Sequence, residues 1–237
     1  MRSPIAPAGL LGPIFGADFA RLVAGLAVEA NLERRASIQQ ADHPCLTLTV
    51  VAAGAAQAGR TLADGGQQIV TLYFPGDLID PAGLIAGRTE VAVESLTPVR
   101  LIRIDRFRLM PLLAKHPDAE RCLVRRMAAE NAQLRERVVS LGRRSALTRM
   151  AHLLCEFVVR VPAESGARFP LTQIELADVL GLSPVHINRV LHQMRDDGLV
   201  SFKGRDVVVL DQDRLSDLAG FDAAYLNRWS LAPAPAL

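Results

Sequence analysis

The segment from Gln173 to His192, QIELADVLGLSPVHINRVLH, contains two short helical patterns that meet at a glycine. Apolar residues recur at helical spacing on both sides of it: Leu176, Ala177 and Leu180 precede it, and Ile187, Val190 and Leu191 follow it. Gly181 can adopt the positive φ that a turn of about three residues requires. Ser183 followed by Pro184 is typical of a helix start, with an N-cap and a proline at the first helical position. Together these features predict a helix-turn-helix, although an ordinary helical hairpin would share some of them.

The flanking residues extend this prediction to a winged form of the motif. Thr172 supplies a hydroxyl that can cap the first helix, and Asp197-Gly198 supplies the glycine that commonly ends the second. The next segment, LVSFKGRDVVVL (199–210), has two β-branched and aromatic runs on either side of Lys203-Gly204-Arg205-Asp206. A glycine between two such runs indicates a tight hairpin. The sequence therefore predicts a wing with two cations at its tip.

Residues 171–210 resemble the DNA-binding domain of the cyclic-AMP receptor protein and fumarate-nitrate regulator (Crp/Fnr) superfamily of bacterial transcription regulators. The upstream segment GRRSALTRMAHLLCEFVVR (142–160) resembles the helix that precedes this domain in many members. The resemblance is strong from about Pro117 onward and weaker before it. It implies an α+β fold in three parts: an N-terminal β jelly roll of the cyclic-nucleotide-binding type (1–116), a long dimerisation helix (117–142) and a C-terminal winged helix-turn-helix domain (143–237).

Composition sets few limits on function. Half of the 237 residues are hydrophobic and 22% are charged, which is typical of a globular chain. The formal net charge of +2 is too small to locate a nucleic-acid surface, so that prediction depends on the motif. Cys45, Cys122 and Cys155 are odd in number and form no CxxC, which argues against a disulfide framework and fits a reducing compartment.

No cofactor, metal site or membrane segment is predicted. The five histidines show no HxxxH or HExxH spacing. Pro4, Pro7, Pro13 and Asp18 interrupt any signal-peptide core near the start of the chain. The longest uncharged run, Pro44 to Gly59, is too short and too rich in glycine and alanine to span a membrane. We therefore expect a soluble, cytoplasmic protein.

Residues 34–105 divide into short β-like runs: ASIQQ, CLTLTVVAA, QQIVTLYF, TEVAVESL and PVRLIRID. Asp64-Gly65-Gly66 is a hairpin signal between two of these runs. Many short strands at this spacing indicate a sandwich, a barrel or a jelly roll. The resemblance to the Crp/Fnr superfamily implies the cyclic-nucleotide-binding jelly roll, with YFPGDLI (73–79) matching its Pro-Gly-Asp/Glu corner.

The nucleotide pocket of that superfamily does not carry over to this sequence. Nucleotide-binding members place a glutamate after the corner glycine, and here that position is Asp77. Their Arg-Ser pair, which binds the cyclic phosphate, aligns with Thr89 and Glu90, and a carboxylate at Glu90 would repel a phosphate. Arg88 is one residue out of register and, by strand alternation, should face the other side. We expect no cyclic nucleotide to bind, and the sequence identifies no other effector.

The residues from Pro117 to about Gly142 predict one long helix with an apolar seam. Its predicted seam residues recur close to a heptad: Leu123, Met127, Leu134 and Leu141, with Val138 alongside. One polar position interrupts the seam at Glu130 or Asn131, and a polar residue there can fix register at some cost in stability. The resemblance implies that this seam is a dimer interface. A single amphipathic helix packed on its own domain is the alternative.

A recognition helix lies in the major groove with its N-terminal residues on base edges. The outward-facing candidates after the cap are Pro184, Val185, His186, Asn188 and Arg189. Arg189 matches the family's recognition arginine and could bond guanine, and Asn188 could pair with adenine. Val185 stands where the family usually has glutamate, and it could pack on a thymine methyl. Phosphate contacts are predicted for Thr172, Gln173, Ser183, Lys203 and Arg205.

The sequence therefore predicts a homodimeric, sequence-specific transcription regulator that binds an inverted repeat in double-stranded DNA. RNA polymerase is an expected partner if the protein is an activator. Two alternatives stay open. One is a cyclic-nucleotide-gated regulator, which a ligand-binding measurement would identify. The other is a jelly-roll enzyme with an accessory helical domain, for which the sequence offers neither a metal triad nor a nucleophile–base pair.

Overall fold

A computed structural model describes residues 6–161, 169–203 and 206–227 of the chain. It divides into two compact units. The first comprises Met1–Ala58, Leu72–Ala132 and Leu226–Leu237, and the second comprises Gly59–Thr71 and Gln133–Tyr225. These units do not follow the boundaries predicted at residues 116 and 142, because the segment 59–71 groups with the second unit and the long helix contributes to both.

The strands of the first half of the chain form two four-stranded sheets, with the orders β1-β8-β3-β6 and β2-β7-β4-β5. Their bounds are Ala27–Leu32 (β1), Ser37–Gln39 (β2), Thr47–Ala53 (β3), Ala56–Thr61 (β4), Gln67–Tyr73 (β5), Leu78–Ile79 (β6), Ala92–Ser95 (β7) and Val99–Asp105 (β8). Most hydrogen-bonded neighbours are not consecutive in sequence, so the chain crosses repeatedly from one sheet to the other. The predicted jelly roll is confirmed.

The helices that accompany these strands are α1 (Pro7–Phe15), α2 (Ala17–Ala24), α3 (Pro81–Ala86), α4 (Arg106–Leu113) and α5 (Pro117–Arg143). The central strands β3 and β8 contribute residues to two core clusters, because side chains alternate between the two faces of a strand. Leu48, Val50, Ile102 and Ile104 belong to one core cluster, which also contains residues of α1, α2, α4 and α5. Val51, Val99 and Leu101 belong to a second cluster with Ile79 and Val93. This double burial explains why apolar residues occupy both faces of β3 and β8, although β8 also carries Arg100, Arg103 and Asp105.

The rest of the described chain contains α6 (Ala146–Arg160), α7 (Gln173–Leu180), α8 (Pro184–Asp196), β9 (Val200–Lys203), β10 (Asp206–Val209), α9 (Gln212–Ala219) and α10 (Ala224–Asn227). The Thr172 side chain caps α7 in a capping box with Glu175, and Gly181 ends α7 at φ 62°. Ser183 caps α8 by accepting a hydrogen bond from the His186 amide. Strands β9 and β10 pair antiparallel, with Lys203 opposite Asp206. The predicted winged helix-turn-helix is confirmed.

The three cysteines are free and buried. Burial raises the pKa of each thiol above its ordinary value, which makes all three weak nucleophiles.

Candidate nucleic-acid interface

Helices α7 and α8 form a rigid pair because their facing side chains are almost fully buried. These are Leu176, Ala177 and Leu180 of α7 and Ile187, Val190, Leu191 and Met194 of α8, none more than 4% exposed. The small side chain of Ala177 lies in this contact, and its carbonyl accepts hydrogen bonds from the amides of Gly181 and Leu182 across the turn. Each residue that the sequence analysis assigned to the inward face of α8 therefore lies inward.

The first turns of α8 present the predicted base-reading residues to solvent. Val185 is 73% exposed, and His186, Asn188 and Arg189 are also exposed. Within the described part of the chain, the Arg189 guanidinium forms no ion pair, so its donors are available to an incoming acceptor.

The Asn188 side chain lies near Gln173, the first residue of α7. Asn188 Nδ2 donates to Gln173 Oε1 at 3.5 Å, which is the long limit of a hydrogen bond. Gln173 is exposed, so the contact brings one predicted phosphate contact beside one predicted base contact. The carbonyl oxygen and the second N–H of Asn188 remain for a base.

The residues predicted to contact phosphate differ in whether their hydroxyl protons are available to an external acceptor. Ser183 Oγ accepts from the His186 amide at 3.2 Å, which leaves its hydroxyl proton for an external acceptor. Thr172 Oγ1 instead donates to the Glu175 carboxylate at 3.0 Å, so this proton is already used, and the carboxylate beside it would repel a phosphate. The Lys203 side chain and Arg205 lie outside the described residues.

Residues that the sequence analysis missed hold the end of α7 in place. Gln68 Nε2 donates to the carbonyl oxygens of Asp178 and Val179, at 2.8 Å and 3.3 Å. Arg149 Nη1 donates to the carbonyl oxygen of Leu180 at 3.0 Å. The last carbonyls of a helix lack partners within the helix, so these two side chains supply them. No local sequence pattern announces such contacts, because Gln68 is more than a hundred residues away from α7 in sequence.

The seam predicted along α5 is partly wrong. Leu123 is 0% exposed and belongs to the core of its own unit, so it cannot contact a second chain. Val124, the next residue, is 60% exposed, and Val138 is 70% exposed. Met127, Leu134 and Leu141 are partly exposed.

The structure also shows which of the two polar candidates, Glu130 or Asn131, belongs to the outward face of α5. Glu130 Oε1 accepts a hydrogen bond from the buried Tyr73 hydroxyl at 3.0 Å, so Glu130 is turned toward the first unit's own core. Burial and the negative charge of Glu130 raise the pKa of Tyr73 well above its ordinary value. Asn131 is exposed. The outward seam therefore consists of Val124, Met127, Asn131, Leu134, Val138 and Leu141, with the alternating spacing of three and four that a heptad requires.

The residues at the family's nucleotide-binding positions have other partners here. The Asp77 carboxylate accepts from the Phe74 amide at 2.7 Å and caps its own corner. Thr89 is 3% exposed, and its hydroxyl donates to the Gln40 carbonyl and accepts from the His43 amide. Arg88 is exposed and lies 3.6 Å from Asp42. This part of the sheet offers a phosphate no buried cation at the aligned positions.

Two negative findings apply to the described residues. They contain no group of three or more histidine, cysteine, aspartate or glutamate side chains that could hold a metal ion. None of their helices is both long and apolar enough to cross a membrane.

Two family models match the chain: the cyclic nucleotide-binding domain over residues 29–116 and the Crp-like helix-turn-helix domain over residues 148–218. The transcriptional activator protein FnrL of Cereibacter sphaeroides is 31% identical over 185 residues, which are 73% of this chain and 73% of that protein. The transcriptional activator protein anr of Pseudomonas aeruginosa is 26% identical over 181 residues, covering 75% and 74%. The structure of FixK2 from Bradyrhizobium japonicum matches with a TM-score of 0.74 at 27% identity, over 81% of this chain and 96% of that one. The chain therefore belongs to the Crp/Fnr superfamily of DNA-binding transcription regulators.

Proposed function

We propose that this regulator acts as a homodimer that reads an inverted repeat in double-stranded DNA through the N-terminal turns of α8. The observation that carries the proposal is the exposed Arg189, which has no ion-pair partner among the described residues and lies beside Asn188 and Val185 on a helix whose opposite face is buried. A rigid helix with free donors at its N-terminal end is what major-groove readout requires. Members of the superfamily are transcription regulators rather than enzymes, so the enzyme alternative has no support.

Each exposed residue of α8 suits one feature of the major groove. Arg189 can bond O6 and N7 of guanine with its two parallel donors, and Asn188 can pair with N6 and N7 of adenine. Val185 has no polar group, and packing on a thymine methyl is the contact open to it. The operator should therefore differ from that of members with glutamate at this position. His186 lies next to these residues and completes the base-reading set.

The contacts with phosphate fix the position of α8 without carrying sequence information. Gln173 and Ser183 are exposed at the starts of α7 and α8, and helix N-termini favour anions. Lys203 and Arg205 of the wing would add two cations. Thr172 is the weakest member of this set, since its hydroxyl already donates to Glu175.

The dimer would form along the outward seam of α5. Apolar residues occupy five of the six seam positions, with Val124 and Val138 the most exposed, and an apolar stripe that continues along one helix face supports an interaction surface there. Asn131 would face its own copy across the two-fold axis. An asparagine at an a position favours the two-stranded state in one register, because its side chain finds a hydrogen-bonding partner only when the helices are aligned.

Regulation by a cyclic nucleotide is the second candidate, and the match of residues 29–116 to the cyclic nucleotide-binding domain favours it. Against it stand the internal hydrogen bonds of Asp77 and Thr89 and the carboxylate of Glu90. We therefore propose that DNA binding needs no cyclic nucleotide. As a regulator of bacterial promoters, the protein would act in the cytoplasm and, if it is an activator, would contact RNA polymerase.

Selection of bound duplexes from a random DNA library with the purified full chain tests this proposal. The enriched motif should be an inverted repeat whose half-site centres lie about one helical turn, or about 34 Å, apart. Enrichment of a single unrepeated motif would contradict the dimer. A library that stays random would contradict DNA recognition by α8.

A further inference from the structure

A cluster of buried charges lies between α5 and α6 in the second unit. At its centre the Glu156 carboxylate accepts from Arg160 Nη1 at 2.9 Å and from the Tyr225 hydroxyl at 3.0 Å, with Arg137 Nη2 at 3.8 Å. The side chains of Glu156, Arg160 and Arg137 are 7%, 10% and 12% exposed. Burial alone would raise the pKa of Glu156, but Arg137, Arg160 and the Tyr225 hydroxyl lower it below its usual value. Glu156 therefore stays ionised.

A second group of contacts continues the cluster along the same helices. Glu136 of α5 accepts from Arg144 Nη2 at 2.5 Å, and its Oε1 lies 3.3 Å from His152 Nε2 of α6. The two contact groups lie one helical turn apart on α6, at His152 and Glu156, and start from the adjacent residues Glu136 and Arg137 on α5. Polar contacts at two levels resist rotation of one helix against the other.

The end of the described chain closes over this cluster. The Tyr225 ring stacks on His152 with centroids 5.9 Å apart and planes 20° apart, and Phe221 meets His152 edge-on at 5.0 Å. The Tyr225 hydroxyl then reaches past the histidine to Glu156. Burial, followed by the charge of Glu156, raises the pKa of Tyr225, so its hydroxyl remains a donor.

Stability alone does not account for such a cluster. Buried ion pairs are often no more stabilising than apolar side chains of the same size, whereas their directional bonds restrict geometry. We propose that Arg137, Glu156, Arg160 and Tyr225 form a positioning clamp that fixes α6 against α5. The hydrogen bond from the Tyr225 hydroxyl to Glu156 holds this clamp closed. This inference rests on the proposed function: if α5 forms the dimer, the α5–α6 junction sets where the two copies of α8 meet the DNA.

The test compares two duplexes, the inverted repeat selected by the wild type and the same duplex with one half-site scrambled. The Tyr225→Phe variant keeps the ring and removes only the hydroxyl, and Glu156→Gln keeps the shape and removes the charge. Arg121→Gln, which removes an exposed ion pair with Asp118 on α5, is the matched control.

Tyr225→Phe loses a hydrogen bond to a charged group, and this loss should weaken binding to the inverted repeat about tenfold or more. Binding to the single half-site should change by less than about twofold, because the faces of α7 and α8 are untouched.

Two results would overturn the clamp. One is a folded Tyr225→Phe protein that binds the inverted repeat as tightly as the wild type and the Arg121→Gln control. The other is equal weakening on both duplexes, which would mean that the cluster only supports the winged-helix fold. Tyr225→Phe decides the matter if Glu156→Gln does not fold.

A wild-type protein that shows no preference for the inverted repeat over the half-site would contradict the proposed function instead. Amide hydrogen exchange then tests the clamp in the free protein. The Tyr225→Phe variant should exchange faster than the control between residues 133 and 160, because opening of the junction becomes easier. Unchanged exchange there would overturn the clamp by itself.

Discussion

Acidification should destabilise this protein through His152, a buried histidine that stays neutral in the folded chain. Its side chain is 6% exposed and packs against Phe221 and Tyr225. Burial lowers the pKa of His152 from 6.5 to about 4, assisted by the charges of Arg144 and Arg137 and opposed by those of Glu156 and Glu136. The folded state therefore takes up a proton at His152 at a much lower pH than the unfolded state does.

The sign and size of the effect follow from this difference. Between the unfolded pKa of 6.5 and the folded pKa of about 4, the unfolded chain holds more protons, so the free energy of unfolding falls as the pH falls. The full difference between the folded and unfolded pKa values of His152 corresponds to about 3 kcal/mol in the free energy of unfolding. Between about pH 7.5 and about pH 5, roughly 2 kcal/mol of it should be lost.

Urea unfolding at a fixed protein concentration measures this loss, with His152→Gln as the comparison. Glutamine does not titrate and keeps an N–H that can face Glu136, whereas the carboxylates that do not contact His152 titrate alike in both proteins and cancel in the difference. The wild type should lose about 2 kcal/mol more than the variant between the two pH values. Equal losses would refute a buried neutral His152.

Three further predictions concern the dimer, the wing and the effector. Leu134→Glu places a carboxylate in the seam of α5 opposite its own copy, so the chain should sediment as a monomer and lose most operator binding; a mutant that still sediments as a dimer would contradict the seam. Lys203→Ala should weaken all DNA sequences alike and reduce the slope of log affinity against log salt by about one; a loss confined to particular sequences would mean that Lys203 reads bases. Cyclic AMP at about 1 mM should leave the Tm unchanged, since any ligand of the native state stabilises it by RT ln(1 + [L]/Kd); a saturable rise in Tm would restore the nucleotide pocket.

The sequence predicted the helix-turn-helix well because its signals are local. The Ser183 cap, Gly181 and the apolar spacing around them act within a few residues, and each one appears in the structure with its expected role. The sequence also predicted strands β3 and β8, because their apolar and β-branched residues lie within single short runs of the chain. Strand β4, AQAGRT, was missed because alanine and glycine carry little strand preference, and its pairing is decided by neighbours far away in sequence.

The periodicity of apolar residues in α5 predicted a seam but could not determine which residues belong to it. Leu123 and Val124 are adjacent apolar residues, and spacing alone cannot tell which of them packs inside its own unit and which faces outward. Glu130 and Asn131 posed the same problem, and the Tyr73 hydroxyl resolves it by binding Glu130. The sequence did not predict the cluster around Glu156 either, because the spacing of apolar residues gives no information about buried ion pairs.

The central claim, that α8 reads bases through Arg189, is tested most directly by measuring the affinity of two variants for the selected operator and for each of its single-base changes. Arg189→Ala should cost about 1–3 kcal/mol on the operator and abolish the preference at one base pair in each half-site, leaving the other preferences intact. Arg195→Ala removes the same charge from the far end of the same helix and should preserve every preference. If Arg189→Ala instead weakens all sequences by the same factor, Arg189 contacts phosphate and the assignment of base reading to it is wrong.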